Sequence, residues 1–250
     1  MSDYSYQLYS SRNFPPLSDT LRMIGDLGYS QAEGYGGLFS AIDDLSALKA
    51  DLHVNNLSMP TGHFGLEMVE DETARVIDIA RTLGMNTLFV PAVGPEERTK
   101  DAAGWEALGV RLAEAGKPIR DAGFNFGWHN HAFEFADLGI AEKPLDLMLQ
   151  GNDLALELDL AWVQVGGEDP LKYIARYADR IIATHIKDIA PEGEATDEDG
   201  WADVGRGIMD WPALVAALRE TSVQYWVMEH DNPNDHERFA RRSLLTAQNF

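Results

Sequence analysis

A single (β/α)8 TIM barrel spanning residues 1–250 is the fold this sequence predicts, on three observations. Short β-type apolar runs alternate with helix-type segments from end to end, which favours a parallel sheet over a sandwich or a bundle. The repeating unit can be counted eight times. Four of the later runs finish in ionisable residues: Trp128–Glu134, Leu156–Asp159, Thr184–Asp188 and Met228–Asp231. The C-terminal ends of the strands are where a barrel of this kind carries its active site. A chain of 250 residues is long enough to close such a barrel as one domain.

In chain order the strands are expected at Ser5–Tyr9, Ser30–Glu33, Val54–Met59, Thr87–Pro91, Phe124–His129, Leu154–Asp159, Ile181–Ile186 and Gln224–Glu229. Helices are expected between them at Leu17–Leu27, Ala41–Asp51, Leu66–Leu83, Ala102–Ala122, Pro144–Leu149, Pro170–Tyr177, Trp211–Glu220 and Asp235–Gln248. Ser18 and Asp43 suit helix N-caps, Gly28, Gly84 and Gly123 suit helix ends, and Pro170 and Pro212 suit first turns. A doubly wound nucleotide-binding sheet is disfavoured, because no G-x-G-x-x-G follows the first strand and no Walker loop occurs.

Composition narrows the function. The formal net charge of −21 would repel a phosphate backbone, so no nucleic-acid partner is expected. No run approaches the roughly 18 apolar residues that span a bilayer. The opening Met1-Ser2-Asp3-Tyr4 lacks the basic and apolar regions of a signal peptide. A soluble, cytoplasmic protein with no membrane partner is therefore expected. The chain has no cysteine, so any metal must be held by oxygen and imidazole.

His63, His129, His131, Glu134, Asp159, His185, Lys187, Asp188, Glu229, His230 and Asp231 all fall at or just beyond predicted strand ends. Strand alternation puts His129 with His131, Glu157 with Asp159, and His185 with Lys187 on common faces. Carboxylates gathered on the barrel axis would repel one another unless a cation neutralised them. One divalent metal is therefore expected, with Glu134, Asp159, His185 and Glu229 as ligands and Glu157 as the competitor of Asp159. Such a set suits Mn²⁺ first, with Mg²⁺, Co²⁺ or Zn²⁺ as alternatives.

The series His129-Asn130-His131-Ala132-Phe133-Glu134-Phe135, Leu156-Glu157-Leu158-Asp159-Leu160-Ala161-Trp162, His185-Ile186-Lys187-Asp188, Gly205-Arg206-Gly207 with Asp210-Trp211, and Glu229-His230-Asp231 resembles the sugar phosphate isomerase/epimerase family of xylose-isomerase-like TIM barrels. Gln7–Arg12 and Glu33-Gly34-Tyr35 extend the resemblance over nearly the whole chain. It implies a metal held by Glu134, Asp159, His185 and Glu229, with His129 able to replace or supplement Glu134. It also implies a small sugar or polyol substrate, a place in carbohydrate metabolism, and a homo-oligomer as a possible assembly.

The chemistry implied is proton transfer at a carbon beside a metal-chelated carbonyl, through an enediolate. Isomerisation or epimerisation needs two proton-transfer groups. Glu134 with Glu229 is one pair, and His129 or His131 is a competing base. Lys187 can stabilise the enediolate or bind substrate, and Asp188 can bind substrate or simply pair with Lys187. Trp162 and Trp128 offer walls for a sugar ring, Tyr9 and His63 offer hydrogen bonds, and Gly205-Arg206-Gly207 can form an anion nest. The five acids within Glu192–Gly200 disfavour a doubly charged substrate. A lyase or hydrolase of keto-sugars or 3-keto-glycosides is the alternative activity, since the same proton abstraction permits β-elimination. A non-catalytic sugar-binding barrel and an apurinic-site endonuclease are more remote readings. The bland expectations are that Glu157 is a structural partner of Lys187 or an arginine, that His53 and His236 are structural, and that Trp211 packs a helix start.

Overall fold

A parallel strand buried on both faces must place every second side chain on the barrel axis and the others against the helices, and this sequence sorts cleanly. The computed structural model describes residues 3–98 and 100–250, so Met1 and Ser2, the start of the predicted domain, lie outside the described residues. Eight strands close a barrel: β1 Tyr4–Gln7, β2 Gln31–Gly34, β3 Ser58–His63, β4 Thr87–Val90, β5 Asn125–His129, β6 Ala155–Asp159, β7 Ile181–Ile186 and, after a hairpin, β10 Tyr225–Met228. The hairpin is β8 Asp188–Ile189 paired antiparallel with β9 Trp201–Ala202. All barrel pairings are parallel, and β10 closes against β1.

Phe126, Trp128, Leu156, Leu158, Ile181, Ile186 and Met228 point outward into the main core under the helices. Phe89, Ala155, Ala183, Tyr225 and Val227 form a separate apolar cluster inside the barrel. Two residues beyond Gly127, Ala155, Ala183 and Val227 stand His129, Glu157, His185 and Glu229, so the same alternation carries these four to the axis at the C-terminal rim. The register fixes their neighbours: His129 lies opposite Glu157, Asp159 opposite His185, and Gln7 opposite Glu33.

Several boundaries differ from expectation. The first strand stops at Gln7 and continues as a 3-10 turn, Leu8–Ser11, because the Gln7 side chain accepts from Tyr9 N. The strand expected at Val54–Met59 begins instead at Ser58. Asp44, rather than Asp43, caps a helix that runs through Val54, and Asn56 takes a positive φ of 56° in the turn before the strand. The helix expected at Ala41–Asp51 is two helices, Gly36–Ala41 and Leu45–Val54. The one expected at Leu66–Leu83 breaks at Glu72 into Leu66–Asp71 and Thr73–Leu83. Ser18 is not a cap, since Leu17 already starts the helix after Pro16. Gly28 and Gly84 end their helices in the left-handed region, at φ 101° and 77°. Among the described residues no helix is long and apolar enough to cross a membrane.

Helix Ala102–Asp121 approaches Met148 so closely that a Cβ on Gly109 would lie 2.1 Å from the Met148 carbonyl oxygen. That atom is backbone and cannot swing aside. Gly109→Ala is expected to lower stability by about 1–3 kcal/mol through overpacking, measured by urea denaturation; an unchanged midpoint would show that the helices can separate freely.

Candidate active site and cation centre

Six strand ends deliver ionisable side chains to one small volume. Glu33 of β2, Glu157 and Asp159 of β6 and His185 of β7 are 0–2% exposed, and Glu229, just after β10, is 4% exposed. Glu157 Oε2 lies 2.5 Å from His63 Nε2, 3.1 Å from His129 Nδ1 and 3.4 Å from His185 Nε2. Glu33 Oε1 lies 2.8 Å from His185 Nε2 and 3.3 Å from His63 Nε2, and accepts a 2.8 Å bond from Gln7 Nε2. On the opposite edge of the His185 ring, Nδ1 faces Asp159 Oδ2 at 3.7 Å.

The His185 ring therefore stands between two groups of ligand-type atoms. His63, His129, Glu157 and His185 form one, and Asp159, His185 and Glu229 form the other, with the ligand atoms of each group within 4.8 Å of one another. Asp159 Oδ2, His185 Nδ1, Glu33 Oε2, Glu157 Oε1 and His129 Nδ1 are buried without a hydrogen-bond partner. Buried polar atoms are rarely left so, and convergent oxygen and imidazole donors are what a divalent cation requires.

The electrostatics follow from this crowding. Burial opposes the charge of Glu33, but His63 and His185 outweigh it and pull its pKa down. Glu157 goes the other way, up to about 7, through burial and repulsion by Glu33. Burial works against protonation of His63 and His185, yet the carboxylates around them win and raise both. His129 is pushed well down by burial and by His185 and His63. His131 falls to about 4 through burial and the nearby Lys187 charge.

Lys187, 1% exposed, is held charged despite its burial by Glu229 at 2.8 Å and by Asp231. Its ammonium also sits 3.9 Å from the Trp201 ring centroid and 4.8 Å from that of Trp162. Glu229 in turn is raised to about 7 by burial and by Asp231. A cavity of about 290 Å³ opens above this array, walled by Tyr9, Tyr35, His63, His131, Trp162 and Asp231 among others.

Several expected site residues lie outside both ligand groups and the cavity lining. Glu134 is fully buried, but its carboxylate accepts from Trp128 Nε1 at 2.8 Å and from His131 N at 3.0 Å, and it joins neither ligand group. The 3-10 turn Phe133–Phe135 folds it back under the strand end. Trp128 is thereby fixed in the outer core and walls no cavity. Asp188 pairs with neither Lys187 nor solvent. It accepts from Ile189 N, Gly205 N, Met209 N and Trp211 Nε1, so the expected nest at Gly205 is filled by the chain's own carboxylate. Arg206 is exposed and away from the cavity. Glu157 partners the imidazoles, and Lys187 partners Glu229 and Asp231.

His230 turns toward Phe239, and its Nδ1 accepts from Asn232 N. His53 is exposed at a helix end, and His236 stacks on Phe14 at 4.1 Å. Glu33, Gln7 and Trp201 were not anticipated at the site. Glu33 ends an expected strand as the later acids do, but Ser30-Gln31-Ala32 before it is not an apolar run, and it stood apart from the crowded C-terminal half.

With barrel, rim and cluster defined, comparison with known proteins places the chain. A family model described as "Xylose isomerase-like TIM barrel" matches residues 40–247, and the chain belongs to that family. It is 26% identical over 166 residues to an inosose dehydratase of Lacticaseibacillus casei, a match covering 58% of this chain and 55%, about half, of that protein. It is 24% identical over 271 residues to the rhizopine catabolism protein MocC of Rhizobium meliloti, covering 90% of this chain and 81% of MocC. Among solved structures, a sugar phosphate isomerase/epimerase from Parabacteroides distasonis superposes with a TM-score of 0.83 at 18% identity, over 99% of this chain and 93% of that one. The IolI protein, solved with a binding zinc atom, superposes with a TM-score of 0.74 at 16% identity, over 99% and 97%.

The Glu134 assignment can be tested directly. Glu134→Leu leaves both buried N–H groups, Trp128 Nε1 and His131 N, without an acceptor, a cost of about 1–3 kcal/mol for each, while leaving bound cation unchanged by elemental analysis. Burial raises the Glu134 pKa to about 8, above its value in the unfolded chain, so its contribution to stability is full at low pH and fades as pH rises through 8. The destabilisation by Glu134→Leu should accordingly be larger at pH 5 than at pH 8. Loss of the cation instead would return Glu134 to the ligand set.

Proposed function

We propose that this chain is a divalent-cation-dependent enzyme that removes a proton from the carbon beside a ketone in a sugar-like polyol and then expels a β leaving group. The observation that carries the reading is the two-sided environment of His185. Its Nδ1 is 3.7 Å from Asp159, with Glu229 in the same group of ligand-type atoms, while its Nε2 is 2.8 Å from the Glu33 carboxylate. A ligand imidazole whose other nitrogen donates to a carboxylate is the usual way a protein fixes tautomer and ring orientation at a metal. Asp159, His185 and Glu229 are the proposed ligands. Two carboxylates and one imidazole suit manganese first, with magnesium, cobalt or zinc as alternatives. When bound, the cation supplies Lewis-acid polarisation of the substrate carbonyl.

The chain's own residues divide the remaining work. His131 Nδ1 has no protein partner, its ring lines the cavity, and its depressed pKa keeps it neutral, so it is the proposed proton acceptor. His129, whose Nδ1 lies 3.1 Å from Glu157 without a hydrogen bond, belongs to the inner cluster. His63, whose pKa Glu33 and Glu157 raise against the effect of burial, also lines the cavity and is the proposed donor to the leaving oxygen. Lys187, locked to Glu229 and Asp231, is a fixed positive charge that stabilises the anionic intermediate. Trp162 gives the sugar face an apolar wall, and Tyr9 a hydroxyl at the mouth.

Elimination is favoured over isomerisation or epimerisation because sequence relatives such as the L. casei protein are dehydratases. Isomerisation shares the abstraction step and diverges only when the carbon is reprotonated. Incubation of the manganese-loaded protein with inososes and 3-keto-sugars in D₂O is expected to yield an unsaturated ketone. Deuterated isomer without elimination would replace the lyase reading by the isomerase one, and no exchange with any keto-polyol would overturn both.

For the ligand set, Asp159→Ala and His185→Ala are each expected to lower bound manganese at least tenfold, since removing even an outer-shell partner of a metal ligand costs roughly 10–100-fold. The exposed His53→Ala serves as control. Unchanged metal content in both site variants would remove the proposed centre.

A further inference from the structure

Strands β5 and β6 part company at the rim. Their last pairing joins His129 to Glu157; past it the first strand gives way to the 3-10 turn Phe133–Phe135, while β6 runs on to Asp159. Asp159 is fully buried there, and buried backbone N–H and C=O groups need partners. One side chain supplies both. Asp159 N donates to Asn130 Oδ1 at 3.0 Å, and Asn130 Nδ2 donates to the Asp159 carbonyl at 3.1 Å. An amide side chain offers a donor and an acceptor side by side, as a peptide group does. Asn130, itself fully buried, thus stands in for the strand pairing that β5 no longer provides.

The consequence falls on the Asp159 carboxylate. Asn130 holds two of the four polar atoms of Asp159. A third, Oδ1, accepts from Trp162 N at 2.9 Å and caps helix Leu160–Val165. The fourth, Oδ2, has no hydrogen-bond partner and stands 3.7 Å from His185 Nδ1, in the group that these two residues form with Glu229. The carboxylate cannot turn without giving up the helix cap, and its backbone cannot shift without breaking the amide bonds. The tip of β5 is anchored from its other side as well, since His131 N donates to Glu134 Oε2 at 3.0 Å.

We infer that Asn130 is a positioning residue for the cation, holding Asp159 so that Oδ2 already faces His185 Nδ1 and Glu229 before a cation arrives. The inference rests on the reading of Asp159, His185 and Glu229 as ligands. Asn130 belongs to neither ligand group and does not line the cavity, so it acts through Asp159. A ligand fixed in its bound geometry loses less freedom on binding, and removing an outer-shell partner of a metal ligand costs roughly 10–100-fold in affinity.

The test is calorimetric titration of the metal-free protein with Mn²⁺. Asn130→Leu, close to asparagine in size but without the amide, and the smaller Asn130→Ala are each expected to bind Mn²⁺ about tenfold or more weakly. Gly109→Ala strains a helix contact with the Met148 carbonyl oxygen and is expected to leave Mn²⁺ affinity unchanged, which separates positioning from a general loss of stability. In a crystal of the unmutated, manganese-loaded protein, both Asn130 bonds should persist, with Trp162 N on Oδ1 and the cation on Oδ2.

Unchanged affinity in the Asn130 variants, with binding lost in Asp159→Ala, would overturn the positioning role and leave the ligand set standing. Equal weakening by Gly109→Ala would overturn it too. Unchanged binding in Asp159→Ala would reject the ligand set itself, and the inference with it. Should neither Asn130 variant fold, the loaded crystal decides: a broken Asn130 bond, or a cation on Oδ1, would contradict the inference.

Discussion

The close approach of buried carboxylates at one end of the barrel is the constraint on which the rest of this structure depends. Glu33, Glu157, Asp159 and Glu229 are all buried at the rim, where unpaired ionised acids would cost several kcal/mol each. The chain meets that cost with His63 and His185 beside Glu33 and Glu157, and with Lys187 beside Glu229. Asp159 Oδ2 is left with no hydrogen-bond partner, 3.7 Å from His185 Nδ1. The shortfall is local, in the group that Asp159 forms with His185 and Glu229, and a bound cation would correct it.

The barrel makes this crowding possible without collapse. Small or apolar residues, Gly127, Ala155, Ala183 and Val227, stand two positions before His129, Glu157, His185 and Glu229, and the register staggers the reactive residues from strand to strand, Glu157 lying opposite Ala183 and His185 opposite both Asp159 and Val227. On the outside, Trp128, Leu156, Leu158 and Ile186 lock the same strands to the helices. Supporting hydrogen bonds then refine the site. Asn130 bridges both backbone groups of Asp159 through its amide, and Asp188 gathers the segment from Gly205 to Trp211 beneath the β8–β9 hairpin.

Much of this was legible in the sequence because period-2 alternation and ionisable strand endings are local signals. The barrel, its eight units and the arrival of His63, Asp159, His185 and Glu229 at one end follow from them. What local reasoning did not show is set by partners that the fold brings in. Glu134 and Glu157 look equivalent as acids near strand ends, but a 3-10 turn buries one against Trp128 while the alternation of β6 sends the other to the axis. Asp188 looks like a partner for its neighbour Lys187 until the loop 17–23 residues later closes on it. The strand expected at Val54–Met59 failed because an apolar helix end and an apolar strand start adjoin there, and only the Asn55-Asn56 turn separates them.

The central claim is that His185 presents Nδ1 to a cation shared with Asp159 and Glu229 and reserves Nε2 for Glu33. Anomalous X-ray scattering from a crystal of the manganese-loaded protein tests it most directly. The account predicts one anomalous peak within coordination distance of Asp159, His185 Nδ1 and Glu229. A peak on the Nε2 side among His63, His129 and Glu157, or one at Glu134, would contradict it.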